Sequence, residues 1–213
     1  MSSKHDHLHT IDIQHRLDGF VWRALNTAAT AHETQKRKST DEWYIVHPYT
    51  VYDLLARYTD DREVLAAAVL HDTVEDTELT LEDVEREFGA NVALYVWGVT
   101  KDDSIEDWHE RNSAYLDRLY DEAPDESVMI SLADKLANMA DQIREFEAIG
   151  EKMWEMFHAG PEDQLWWFSS VLEVGRARLP GHPLVEELTD LLEDYVARVI
   201  VPSVGSDSYT DAV

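Results

Sequence analysis

Apolar residues recur at three- and four-residue intervals along most of the chain. Leu17, Phe20, Val21, Ala24, Leu25 and Ala28 form one such stripe, the spacing that places side chains on a single helix face. The same periodicity predicts helices from Pro48 to about Tyr58, from Asp61 into His71, and from Thr80 to Phe88. The last of these opens with Thr80-Leu81-Glu82-Asp83, which resembles a capping box, and stops at Gly89. Further helices are predicted from Val92 to Val99, Ile105 to Tyr120 and Ser127 to about Ile149. After Gly160-Pro161, where proline suits a first helical position, come two more, Leu165 to Leu179 and Leu184 to Ile200. Strand-like alternation is absent over long windows, so the fold class is all-α. Residues 1–15 and 202–213 are polar with little periodicity and are expected to be flexible tails. One domain is expected over 16–201, with a core in 16–150 and closing helices in 151–201.

One helix ends unusually. The apolar run Val64-Leu65-Ala66-Ala67-Ala68-Val69-Leu70 leads directly into His71-Asp72-Thr73-Val74-Glu75-Asp76. Such a run is buried, and a carboxylate carried inward with it needs a cation or hydrogen-bond donors to stay ionised. A metal ion is the simplest partner. Two more segments can supply ligands: His47 before Pro48, and Asp134 within Leu132-Ala133-Asp134-Lys135-Leu136-Ala137-Asn138, whose flanking apolar residues imply an inward-facing helix. Two imidazoles and two carboxylates would neutralise one divalent cation and leave room for water or substrate oxygens.

Composition narrows the chemistry. The chain of 213 residues has no cysteine, so disulfides and thiolate ligands are excluded and any metal must be held by nitrogen and oxygen donors. Eighteen Lys and Arg against 44 Asp and Glu give a net charge of −26, which repels nucleic acid and anionic membranes. A solvated acidic surface, as in adaptation to high salt, accounts for that excess. With no long apolar stretch and no apolar signal region in MSSKHDHLHT, a cytoplasmic protein is expected. Against this acidic background the loop Lys36-Arg37-Lys38-Ser39-Thr40-Asp41-Glu42 is a candidate anion site. His5, His7 and His9 could bind a transition metal if extended, but a mobile tail explains them as well.

The segments Arg37-Lys38-Ser39, Tyr44-Ile45-Val46-His47-Pro48, Ala67 through Thr77, Leu79-Thr80, Phe88-Gly89, Gly98-Val99-Thr100-Lys101 and Leu132 through Asn138 together resemble the hydrolase domain of RelA/SpoT-type proteins, an HD-domain helical bundle. The likeness spans roughly residues 16–150 in unbroken order, and the C-terminal pattern is similar to that of the stand-alone small alarmone hydrolases. It implies a Mn-dependent enzyme, one ion per site with other divalent metals possible, that removes the 3′-diphosphate of ppGpp or pppGpp as pyrophosphate. By motif position it implies His47, His71, Asp72 and Asp134 as metal ligands and Glu75 and Asp76 as the catalytic pair. The nucleotide-facing positions fall on Arg37, Lys38 and Asn138, and more loosely on Lys101, Arg111 and Lys135. The implied partner is a small purine nucleotide carrying a 3′-diphosphate, with a homo-oligomer possible and no synthetase domain expected.

The chain also departs from that pattern. The loop between Ser39 and His47 differs in length and lacks the usual Gly or Pro, while Lys135 and Ala137 stand where Arg and His are frequent in bifunctional members. Purine selectivity is therefore open, with adenosine alarmones or NADPH as alternative substrates. A catalytically silent nucleotide sensor is the competing class. Trp154, Phe157, Leu165, Trp166, Trp167, Phe168 and Leu172 are read as core packing of the closing helices, with lining of a purine pocket or a dimer interface as the other role.

Overall fold

A computed structural model describes residues 19–37, 41–157 and 159–204. Among these residues the chain is helical, and the one strand-like feature is an isolated antiparallel bridge between Lys36 and Trp43. The helices are α1 (Gly19–Ala31), α2 (Val46–Leu55), α3 (Arg62–Leu70), the single turn α4 (Thr73–Asp76), α5 (Leu81–Phe88) and α6 (Ala90–Val99). They continue with α7 (Trp108–Asp121), α8 (Asp125–Ile149), a 3-10 segment (Gly150–Met156), α9 (Pro161–Arg178) and α10 (Pro183–Tyr195). A π-helical turn (Val196–Ile200) and a last helical turn (Val201–Val204) follow.

Local chemistry sets the boundaries. Helix α2 begins two residues before Pro48, which costs nothing because first-turn N–H groups have no intrahelical acceptor. The Asp61 side chain accepts from Glu63 N at 2.8 Å and starts α3. Thr80 and Asp83 form the expected reciprocal capping box, and Gly89, at a φ of 93°, takes the chain from α5 into α6. Asp107 caps α7 through Glu110 N, so that helix starts at Trp108 rather than at Ile105. Pro202, Ser203 and Val204, expected in the C-terminal tail, are helical; the other tail residues lie outside the described residues.

Helix α3 is the axis of the packing. Val64 through Leu70 are all buried, and the helix lies against α1, α2, α6 and α8. Its three consecutive alanines, with Ala24 and Ala28 of α1, are fully buried and let neighbouring helices come close. Helix α8, 25 residues long, also packs on α2, α6, α9 and α10. Gly98 permits one tight crossing: a Cβ there would lie 2.7 Å from that of Ser127 and 2.9 Å from that of Ala123. Ser127 uses the approach to donate to the Tyr95 carbonyl at 3.0 Å.

The closing helices are fastened by polar and aromatic contacts. Arg178 at the end of α9 donates to the carbonyls of Leu119, Tyr120 and Ala123 and pairs with Asp125 at 2.7 Å, which satisfies groups orphaned at the end of α7. Phe168 meets Tyr195 edge-on at 5.4 Å inside the core. As a result α9 is held over α8, with Trp167 facing the region described next.

Candidate functional site

The break between α3 and α4 falls on the His-Asp pair. His71 caps α3 and Asp72 begins α4, so both side chains leave the helical array where two elements meet. His47 comes from the first turn of α2 and Asp134 from the middle of α8. His47 Nε2 lies 3.0 Å from Asp134 Oδ1 and 3.5 Å from Asp72 Oδ2. His71 Nε2 lies 3.0 Å from the same Asp72 oxygen and 3.8 Å from Asp134 Oδ1. His47, His71 and Asp72 alone form a group whose donor atoms lie within 4.8 Å of one another and could hold a metal ion.

The donor set fits such an ion. His71 Nδ1 is 2.8 Å from the Ala68 carbonyl, a contact that fixes the proton there and turns the Nε2 lone pair into the site. That Nε2 is buried and makes no hydrogen bond, although a carboxylate oxygen is nearby. A nitrogen close to a carboxylate oxygen but not bonded to it, as His71 Nε2 is, suits a shared third atom.

Electrostatics point the same way. Burial opposes a charged His71, but the Asp72 and Asp134 carboxylates outweigh it and the imidazole pKa is pushed up to about 10. Burial likewise opposes ionised Asp72 and Asp134, yet His71 beside the first and Lys135 beside the second hold both well below the usual carboxylate range. A ligand imidazole must be neutral, so a cation held by His71 would have to expel the His71 proton. We expect affinity for Mn²⁺ to rise with pH up to about 10, with close to one proton released per ion near pH 7.5. Calorimetry in buffers of differing ionisation enthalpy counts that proton, and a count of zero would contradict the prediction. Because the folded pKa lies above the unfolded value of about 6.5, the same group stabilises the stripped protein fully below that pH and loses its contribution towards pH 10.

The two further acids stand beside this cluster. Glu75 accepts from Lys101 N at 3.1 Å and from Lys101 Nζ at 3.2 Å. The Asp76 pKa is raised by burial and by its neighbours Asp72 and Glu75, against one hydrogen bond from Tyr44. Both acids line a cavity of about 290 Å³ together with His47, Asp72, Asp134, Arg37, Lys101, Lys135 and Asn138. Arg37 donates to Asn138 Oδ1 at 3.2 Å and Asp141 Oδ2 at 2.8 Å, and Asn138 donates to Asp134. Lys135 pairs with Asp134, its ammonium 4.9 Å from the Trp167 ring centroid. Arg111 stands apart from the cavity lining, 3.8 Å from Asp103. Lys38 lies outside the described residues.

Several lining residues escaped the sequence reading. Asp141 and Gln142 come from α8 beyond Asn138, and Phe157 and Trp167 from the aromatic stretch assigned mainly to core packing. Trp167 does both, being buried while its face receives Lys101 and Lys135. Tyr44 also lines the cavity and was passed over although it precedes His47 by three residues, a spacing that returns to the same side of a helical turn.

The HD domain family model matches residues 24–155. A GTP pyrophosphokinase of Streptomyces coelicolor is 44% identical over 121 residues, which are 56% of this chain and 14% of that protein. A guanosine-3′,5′-bis(diphosphate) 3′-pyrophosphohydrolase of Aquifex aeolicus is 41% identical over 120 residues, 56% of this chain and 17% of that protein. The enzyme of the same name, MESH1, from Danio rerio is 40% identical over 120 residues, 55% of this chain and 66% of that protein. The chain therefore spans less than a fifth of the two bacterial relatives. Among solved structures, a metazoan ortholog of SpoT that hydrolyzes ppGpp superposes with a TM-score of 0.67 at 28% identity, covering 84% of this chain and 96% of that one.

Proposed function

This chain belongs to the HD domain family, and from that premise we propose that it is a metal-dependent (p)ppGpp 3′-pyrophosphohydrolase of the cytoplasm. The observation that carries the reading is the convergence of His47, His71, Asp72 and Asp134 at one point of a cavity whose walls bring both acids and cations. The names of the similar proteins supply the substrate class. Those four residues would hold the ion, and mixed imidazole and carboxylate donors without thiolate suit Mn²⁺ among others.

When bound, a divalent cation draws charge from a phosphoryl oxygen and makes water more acidic. The chain supplies the rest. Glu75, paired with Lys101, orients a water and takes its proton as the water oxygen attacks the phosphorus next to the ribose 3′-oxygen. The bond between that phosphorus and the 3′-oxygen breaks. Asp76, whose pKa is raised by burial and by Asp72 and Glu75, gives a proton to the departing 3′-oxygen, so ppGpp and water become GDP and pyrophosphate. Arg37, Lys101 and Lys135 face the phosphates, the guanidinium as a fork and the ammonium groups as point charges. Asn138 holds Asp134 and Arg37 in place and can offer its amide to a ribose or phosphate oxygen.

Incubation of the purified chain with ppGpp, ppApp and NADPH in turn, with and without Mn²⁺, tests the reading. GDP with pyrophosphate, formed from ppGpp only with metal, is the expected result. NADH with phosphate would move the substrate elsewhere, and binding of ppGpp without any product would make the chain a sensor.

A further inference from the structure

We propose that Tyr44 is a positioning residue whose hydroxyl ties the ligand Asp72 to the acid Asp76, setting both metal affinity and turnover. The inference rests on the roles given above to those two carboxylates. It assigns a function to a side chain whose hydroxyl bonds two carboxylates and whose ring meets that of His47 edge-on at 6.0 Å.

The phenol oxygen lies 2.7 Å from Asp72 Oδ2 and 3.0 Å from Asp76 Oδ2. That Asp72 oxygen is the one that His71 and His47 approach at 3.0 and 3.5 Å. Tyr44 therefore grips the carboxylate at the atom the ligand cluster shares. A carboxylate held from outside its coordination sphere keeps its rotamer, and loss of such outer partners costs about 10–100-fold in affinity or activity.

The tyrosine is itself fixed. Its backbone N–H donates to the Gln35 carbonyl at 3.1 Å, next to the Lys36–Trp43 bridge. The His32 ring lies 4.7 Å from its ring at a tilt of 34°, and the Arg37 guanidinium sits 5.9 Å from its centroid. Gln35, in contact with His32, donates to the Asp76 carbonyl at 2.6 Å. The chain just after α1 thus clamps α4 twice, through Gln35 to the backbone and through Tyr44 to the two acids. One hydroxyl hydrogen cannot serve both carboxylates at once, so whatever draws charge from Asp72 leaves that hydrogen for Asp76.

Tyr44→Phe keeps the ring and its stacking and removes only the oxygen. In the full chain stripped of metal, calorimetry with Mn²⁺ is expected to show affinity lower by about 10–100-fold. At saturating Mn²⁺, kcat on ppGpp should fall while KM stays within about twofold, because the hydroxyl's two partners are carboxylates of the site and the ring that lines the cavity is kept. Wild-type Mn²⁺ affinity in the variant would overturn the proposal. Loss of its cooperative thermal transition would overturn it too, since the hydroxyl would then serve the fold. The affinity measurement involves no nucleotide, so a failure of the ppGpp reading would appear separately, as wild-type protein that binds Mn²⁺ and releases no pyrophosphate.

Discussion

Asp72→Ala is expected to yield a folded protein that purifies without a divalent metal and does not hydrolyse ppGpp. Asp72 Oδ2 is the oxygen nearest His71 Nε2, at 3.0 Å, and the one Tyr44 holds at 2.7 Å. Removing it deletes a donor from the cluster, and the affinity loss should exceed the roughly 10–100-fold that follows loss of an outer partner. The fold should survive because Asp72 stands at the break after α3 and not within its buried apolar run Val64 through Leu70. Elemental analysis, a thermal unfolding curve and a pyrophosphate assay on the same preparation read the three parts separately. A variant with full metal occupancy would show that Asp72 is not a ligand.

Glu75→Gln should give the opposite pattern, with metal retained and kcat reduced by about 10²–10⁴-fold, the range for a lost general acid or base. Glutamine keeps the carbonyl oxygen that accepts from Lys101 N and removes the charge opposite Lys101 Nζ. An ammonium relieved of its carboxylate is freer to meet a phosphate, so KM should stay level or fall. Metal analysis with a kcat and KM determination decides it. Loss of metal in this variant would make Glu75 a ligand, whereas unchanged kcat would leave it as only the partner of Lys101.

Much of the fold was legible because helix formation is written in near neighbours. The stripe from Phe20 to Ala28, the box at Thr80 and Asp83 and the stop at Gly89 each involve residues within a few positions of one another. Ends set by side chains rather than by apolar period were read less well. Asp107 caps α7 so that it starts at Trp108, three residues after Ile105, and the chain leaves α-helical geometry after Tyr195 while the apolar spacing runs on to Ile200. The short turn α4 has too few residues to show a period at all.

The same division runs through the site. His47, His71, Asp72 and Asp134 are each weak candidates singly and stand out only in combination, as a His, then His-Asp, then an Asp among apolar residues, in the ligand order that the resemblance implies. Arg37 read as a phosphate fork, and the structure adds that it is already bonded to Asn138 and Asp141. Arg111, on a helix whose rotation the sequence does not specify, is absent from the cavity lining and lies 3.8 Å from Asp103. Trp167 read as core because an aromatic ring in a helical stripe looks alike whether it covers leucines or ammonium groups.

By itself the sequence determined the helices, the acidic surface, the absence of thiolate chemistry and the identity of the metal-binding candidates, since composition and short-range pattern carry all of these. Tertiary structure alone decided that α2, the α3–α4 break and α8 point their polar residues at a common centre. It also decided that Tyr44 grips two acids from the end of a different loop and that α9 lays Trp167 over two lysines. Contacts around the cavity join residues as many as 104 positions apart, as between Arg37 and Asp141, and their geometry follows from how helices settle against one another over the buried face of α3. No local interaction encodes that arrangement.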